Sequence, residues 1–287
     1  MKLGLSTYSL QGALDRKEMS VVDVIHWTAE QGGEHVEIVP LGYDLVGNPE
    51  LAEEIVKAAK AAKIEISGYS IGANFAKEDP AEFEKEVAAV MRHVDVAHAL
   101  GVKRMRHDVA FRKTEEASIE QFERDLPALV DACRRIADYA SAFGITTSVE
   151  NHGYYVQASD RVRRLVHEVN RPNFRTTLDI GNFMCVDEDP LSAVKNNAPL
   201  ASMVHVKDFY RRPASYNPGE GWFRSAYGHY LRGAIAGQGD LPVAELLRIV
   251  KQSGYDGYLS VEFEGMEDCR TGSRIALNNV RRLWAEA

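Results

Sequence analysis

Cysteine is scarce in this chain of 287 residues: Cys133, Cys185 and Cys269 are odd in number and far apart. Without a CxxC pair they exclude a disulfide framework and a zinc ribbon, and a reducing, cytoplasmic compartment is expected. No apolar run approaches the roughly 20 residues needed to cross a bilayer. The N-terminal MKLGLSTYSL has one Lys, a short apolar stretch and no small-residue cleavage pattern, so neither a signal peptide nor a membrane partner is expected. Basic residues are outnumbered, 34 against 42, for a net charge of −8. That balance argues against nucleic acid, whose phosphates demand clustered Lys and Arg. No GxGxxG opens a helix and no GxxxxGK occurs, so no nucleotide cofactor is expected. No Ser/Gly/Pro-rich linker divides the chain, which predicts one domain over 1–287.

What is present is the composition of a packed protein, 45% hydrophobic and 26% charged. Short β-like runs alternate with longer amphipathic ones. The β-like runs are Lys2–Ser9, His35–Pro40, Ile64–Ser70, Lys103–Phe111, Ile145–His152, Arg175–Ile180, Ser202–Phe209 and Tyr258–Glu264. The clearest helix is Ser118–Phe143, with Phe122, Leu126, Leu129, Cys133, Ile136 and Ala140 at helical spacing and a stop at Gly144. Eight such repeats predict an α/β fold, a (β/α)8 TIM barrel of the usual length of about 250 residues, over an open doubly wound sheet. One stretch breaks the rhythm: residues 209–241 carry no clear period and read as a long loop after strand seven, on the catalytic face.

Four β runs end in a group able to bind a metal: Glu150 in TTSVENH, Asp179 in TTLDIGN, His205 in MVHVKD and Glu262 in LSVEFEG. Side chains at i and i+2 of a strand share a face. Val149, Leu178, Ile180, Val204, Val206, Val261 and Phe263 fall on one parity, and the four candidates on the other. If the bulky parity faces the helices, the candidates point into the barrel near its C-terminal mouth. Three buried carboxylates need a compensating cation. An oxygen-rich set with one imidazole favours Mn²⁺ or Mg²⁺, with Co²⁺ as an alternative.

The motifs VENHG (149–153), LDIGNF (178–183), HVKD (205–208), GQGDLP (237–242) and GYLSVEFEG (257–265), in this order, resemble the sugar-isomerase/epimerase superfamily of xylose isomerase-like TIM barrels. The resemblance spans nearly the whole chain. It implies that Glu150, Asp179, His205 and Glu262 ligate one divalent metal ion. It implies a metal-dependent isomerase or epimerase of a small sugar, keto-sugar or cyclitol, working through an enediolate, with Glu150 and Glu262 exchanging protons on opposite sides of the reacting carbon. A lyase or dehydratase, inosose dehydratase-like or eliminating from a keto-glycoside, would use the same parts. The resemblance also allows a homo-oligomer. One departure stands out: the ketose 3-epimerases carry a substrate-binding His where this chain has Asn182, and Asn is no proton donor. A DNA-repair endonuclease of the related barrels would need more His ligands and a basic groove, and a non-catalytic binding barrel would need a degraded quartet.

Several further residues are expected to meet substrate. His152 shares the parity of Glu150 and either contacts a hydroxyl or supports the metal site. Lys207 follows His205 inward, to stabilise an oxyanion or to pair with Asp208 or a Glu. Gln238 lies between glycines that let backbone approach a ligand. His107 or Asp108 points inward from strand four, and Glu37 and Tyr8, at the ends of strands two and one, line the pocket. Arg211, Arg212, Arg224 and Arg232 either clamp an anion or are solvated; Trp222 and Phe223 either stack on a sugar or fill an interface. His93 and His98, five apart on a helix, read as packing or surface residues.

Overall fold

The computed structural model describes all residues 1–287. Eight parallel strands close into a barrel: β1 (Lys2–Ser6), β2 (His35–Ile38), β3 (Glu65–Ile71), β4 (Arg104–His107), β5 (Thr146–Glu150), β6 (Phe174–Asp179), β7 (Ala201–Val206) and, last in the chain, β11 (Tyr258–Val261). The order around the barrel is β1-β11-β7-β6-β5-β4-β3-β2, and β1 closes the ring on β11 with Lys2 opposite Tyr258 and Leu5 opposite Val261. No helix is long and apolar enough to cross a membrane.

The alternation seen in the sequence becomes two environments. Val149, Leu178, Val204, Val206 and Val261 are buried against the helical jacket. The other parity fills the cylinder with small or unbranched groups: Ser148 Oγ lies 2.8 Å from Thr177 Oγ1, and Met203 Sδ packs over Gly68. The helix Ile119–Ser141 illustrates the outer layer. Ser118 caps it by accepting from Gln121 N at 3.1 Å, and its apolar stripe from Phe122 to Ala140 is buried. Each fully buried side chain of Leu or Phe size there contributes roughly 1.5–3 kcal/mol.

The connection after β7 is more ordered than its sequence suggests. It holds β8 (Asp208–Arg212), β9 (Phe223–Arg224) and β10 (Tyr230–Ala234) in an antiparallel sheet of order β8-β10-β9. Such short strands with Gly- and Pro-rich turns between them leave too few alternations for a period to show. The expected strand Lys103–Phe111 is also shorter, since its extended backbone leaves the barrel after His107.

Candidate active site

The four candidate ligands converge. Glu150, Asp179, His205 and Glu262 each offer one atom, all within 4.8 Å of one another, and all four residues are buried. They come from the strand run β5-β6-β7-β11, so Glu150 and Glu262 sit at the two ends of the arc. The arrangement is pinned locally. Asn151 Nδ2 donates to the Asp179 carbonyl at 2.8 Å while Asp179 N donates to Asn151 Oδ1 at 2.9 Å, which ties the end of β5 to the end of β6. Asp179 Oδ1 accepts from the N–H groups of Gly181 and Asn182 at 2.7 and 2.8 Å. That leaves Asp179 Oδ2 buried without a hydrogen-bond partner, with Lys207 Nζ 3.8 Å away.

An orphaned carboxylate oxygen in a ring of carboxylates and an imidazole fits a divalent ion, because unpaired buried anions are otherwise prohibitive. His205 is oriented for the same purpose. Its Nδ1 faces Glu150 Oε1 at 3.3 Å and Glu262 Oε1 at 3.5 Å, while Nε2 lies 2.9 Å from Glu37. A carboxylate behind a ligating imidazole sets its tautomer and ring angle. Glu37 therefore stands behind His205 and hydrogen-bonds Ser70; it does not line the cavity as expected from its strand-end position.

Carboxylates outnumber cations within the site: Glu37, Asp108, Glu150, Asp179, Glu262 and Glu264 face Arg106, Lys207 and two histidines. Burial would push Glu150 up, but Arg106 and then His205 outweigh it and hold it well below the usual carboxylate range. Asp179 goes the other way, to about 6: burial raises it most, Glu150 and Glu262 add to that, and Lys207 and His205 recover only part. Lys207, buried, is raised despite desolvation because Glu264, Glu262 and Asp179 surround it. Its Nζ is 3.2 Å from Glu262 and 3.4 Å from Glu264, so its partners are neighbouring glutamates and not Asp208.

Above the cluster opens a cavity of about 410 Å³, with Tyr8, Arg106, Asp108, His152, Lys207 and Glu264 among its walls. Tyr8, on the turn after β1, donates to Glu264 Oε2 at 2.9 Å. His152 sits half-exposed at the mouth, 3.3 Å from Asp108. Burial lowers its pKa, but the hydrogen bond and charge of Asp108 prevail and raise it. Asn182 donates to Glu150 Oε1 at 3.2 Å.

Two further expectations fail. His107 turns outward, packed between Phe75 and Phe174, and Asp108 is the residue that faces the cavity. Gln238 is exposed and outside the cavity. Its flanking glycines approach a side chain instead of a ligand: Gly237 N, Gly239 N and Leu241 N all donate to the Asp208 carboxylate. A Cβ on Gly239 would stand 2.2 Å from Asp208 Oδ1. The loop arginines have partners within the chain, with Arg224 over the Tyr230 ring. Arg211 pairs with Asp187, Arg212 with Asp240, and Arg232 lies over Tyr210 and Trp222. His93, read as a packing residue, reaches the cavity wall and hydrogen-bonds Tyr69.

Sequence reasoning missed Arg106, which forms a buried ion pair with Glu150, and Glu264. Both had a signal. In RMRHD, Arg104, Arg106 and Asp108 share one parity of a barrel strand, and Glu264 shares the parity of Glu262.

This is a (β/α)8 barrel with a carboxylate–imidazole quartet at the C-terminal mouth. The chain belongs to the xylose isomerase-like TIM barrel family, whose model matches residues 25–283. It is 21% identical over 273 residues to an inosose dehydratase of Lacticaseibacillus casei, covering 79% of this chain and 88% of that protein. Among solved structures, the D-psicose 3-epimerase of Clostridium cellulolyticum H10, crystallised with D-tagatose, superposes with a TM-score of 0.75 at 16% identity, over 99% of each chain. The IOLI protein with a bound zinc atom superposes with a TM-score of 0.74 at 17% identity, over 100% of this chain and 97% of that one.

Proposed function

We propose that the protein is a divalent-metal-dependent isomerase or epimerase that moves a proton at the carbon beside a carbonyl in a small, uncharged sugar, keto-sugar or cyclitol. The observation that carries this reading is the pair Glu150 and Glu262, set at the two ends of the ligand arc and both lining one cavity. A bound ion, held by Glu150, Asp179, His205 and Glu262, would supply Lewis-acid polarisation of a substrate oxygen. The oxygen-rich donor set favours Mn²⁺ or Mg²⁺, with Co²⁺ as an alternative. Glu262 and Glu150 take and return the proton from different sides, which inverts the centre. Lys207 Nζ, beside Glu262, supports negative charge that develops on the substrate. The uncharged substrate follows from the pairing of the cavity's cations: Arg106 is bound to Glu150, Lys207 lies among glutamates and His152 is bound to Asp108.

A second reading rests on the Asp108–His152 pair. It places a proton donor at the mouth, where it could protonate a departing β-oxygen after the α-proton is taken. That is the chemistry of a lyase or dehydratase, and inosose dehydratase is the name of the L. casei relative. Incubation of the metal-supplemented protein with a keto-sugar and cyclitol panel, read by mass and ultraviolet absorbance, separates the two. An isomer of unchanged mass supports the first reading. A product lighter by water and strongly absorbing replaces it with the second. No turnover, and no exchange of substrate hydrogen with D₂O, removes both.

A further inference from the structure

The cavity over the quartet is not closed on the side of β4 and β5. It continues into a second compartment of about 260 Å³, and the two share Asp108, His152, Lys207 and Glu264 as a common wall. The two differ in chemistry. The first combines Arg106, Glu150 and Glu262 with Val39, Leu41 and Ile71, whereas beyond the shared wall the second adds no carboxylate or cation and is lined by Ala73, Ala110, Phe111, Tyr154, Cys185 and Phe223. Its remaining polar groups are already engaged: Gln157 donates to the Asn182 carbonyl and accepts from Tyr154 N, and Asn182 Nδ2 is on Glu150.

Two features mark this as a built wall. Phe111 and Phe223 are 62% and 36% exposed, although each had apolar surface to gain by burial. Tyr154 has φ of +66°, a conformation that costs a bulky residue energy and is kept where the surroundings enforce it. Its hydroxyl donates to the Arg224 carbonyl at 2.9 Å, fastening β9, and with it the Phe223 ring, over the compartment. An apolar cavity of about 150 Å³ already admits a benzene ring.

We propose that this second compartment is a subsite for an apolar, ring-shaped substituent carried by the sugar, so that the substrate class is a glycoside or similar conjugate whose sugar ring keeps a carbonyl, and not a free ketose. The inference rests on the reading of the first cavity as the sugar site. The sugar lies over the quartet, the ring lies among Phe111, Tyr154 and Phe223, and the bond joining them passes His152.

The test is calorimetric titration of the purified protein with phenyl β-D-glucopyranoside and methyl β-D-glucopyranoside, unreactive probes that report binding without turnover. Phenyl glucoside is expected to bind about ten-fold tighter, as burial of one ring predicts. Ala73→Trp, which fills the compartment, is expected to erase that preference and leave methyl glucoside unchanged. Phe223→Ala, on the two-residue strand β9, is expected to weaken phenyl glucoside about three-fold and methyl glucoside not at all. Equal binding of the two glucosides overturns the subsite while the sugar site stands. Binding of phenol with neither glucoside overturns both the subsite as proposed and the sugar reading beneath it. A phenyl preference that survives both substitutions also overturns it.

Discussion

Glu150 and Glu262 are the same residue type on the same inward parity, yet they sit in unlike surroundings. Glu150 is fully enclosed: Arg106 pairs with it, Asn182 donates to it and His205 lies against it. Glu262 is on the more open side, where Lys207, Glu264 and Tyr8 form a connected set that reaches the cavity. A carboxylate locked by an arginine makes a fixed anion and a reluctant base, because protonation would strand the guanidinium. On the proposed mechanism the contrast predicts that two positions which look equivalent in sequence divide the labour, Glu262 as the readier base and Glu150, once protonated, as the readier donor.

That division can be broken. The largest effects are expected from Glu262→Gln and Glu150→Gln, each lowering turnover by about 10³-fold or more. If the division holds, Glu262→Gln also abolishes exchange of substrate hydrogen with D₂O, whereas Glu150→Gln leaves measurable exchange. Equal loss of exchange would make the two glutamates equivalent. Next, Arg106→Met leaves Glu150 buried without its cation and is expected to cost about 10²-fold in kcat/KM. An unchanged rate would show that Arg106 is only a packing group. Glu37→Gln frees the His205 ring and is expected to weaken metal binding about 10–100-fold, measured by competition with a chelator.

The smallest effect concerns the outer layer. Burial drives His107 down to about 4 from its ordinary 6.5. Its neutral form is thus the folded one, so its contribution to stability is complete above about 6.5 and is lost as pH falls toward 4. His107→Phe is expected to retain about 1–2 kcal/mol more of its neutral-pH stability at pH 5 than the parent does, by chemical denaturation. Equal loss in both proteins would remove His107 as a source of acid sensitivity.

How far the site could be read from sequence depended on which geometric quantity each residue required. Glu150, Asp179, His205 and Glu262 required only parity, and alternation along a strand supplies that directly. Glu37 shows the next difficulty. Its parity was inward too, but depth within a barrel depends on strand stagger, and stagger set it behind His205 instead of in the cavity. His107 closes β4 and Asp108 follows it on the inward parity of Arg106, so the choice between them needed Arg104, Arg106 and Asp108 to be read together as one face. Gln238 shows a third limit. Flanking glycines signal close approach of a backbone without naming the partner, which proved to be the carboxylate of Asp208. The small sheet between residues 208 and 234 escaped notice because β9 is only two residues long.

The order of residues by itself determined the alternation of strand and helix, hence the barrel, and the side of each strand that carries ionisable groups. These are local properties, repeated every two or every 3.6 residues. Only the tertiary structure decided who neutralises whom: Arg106 against Glu150, Glu37 behind His205, Lys207 between two glutamates. Those pairings join residues up to 168 positions apart, and burial makes each counterpart worth far more than it would be in water.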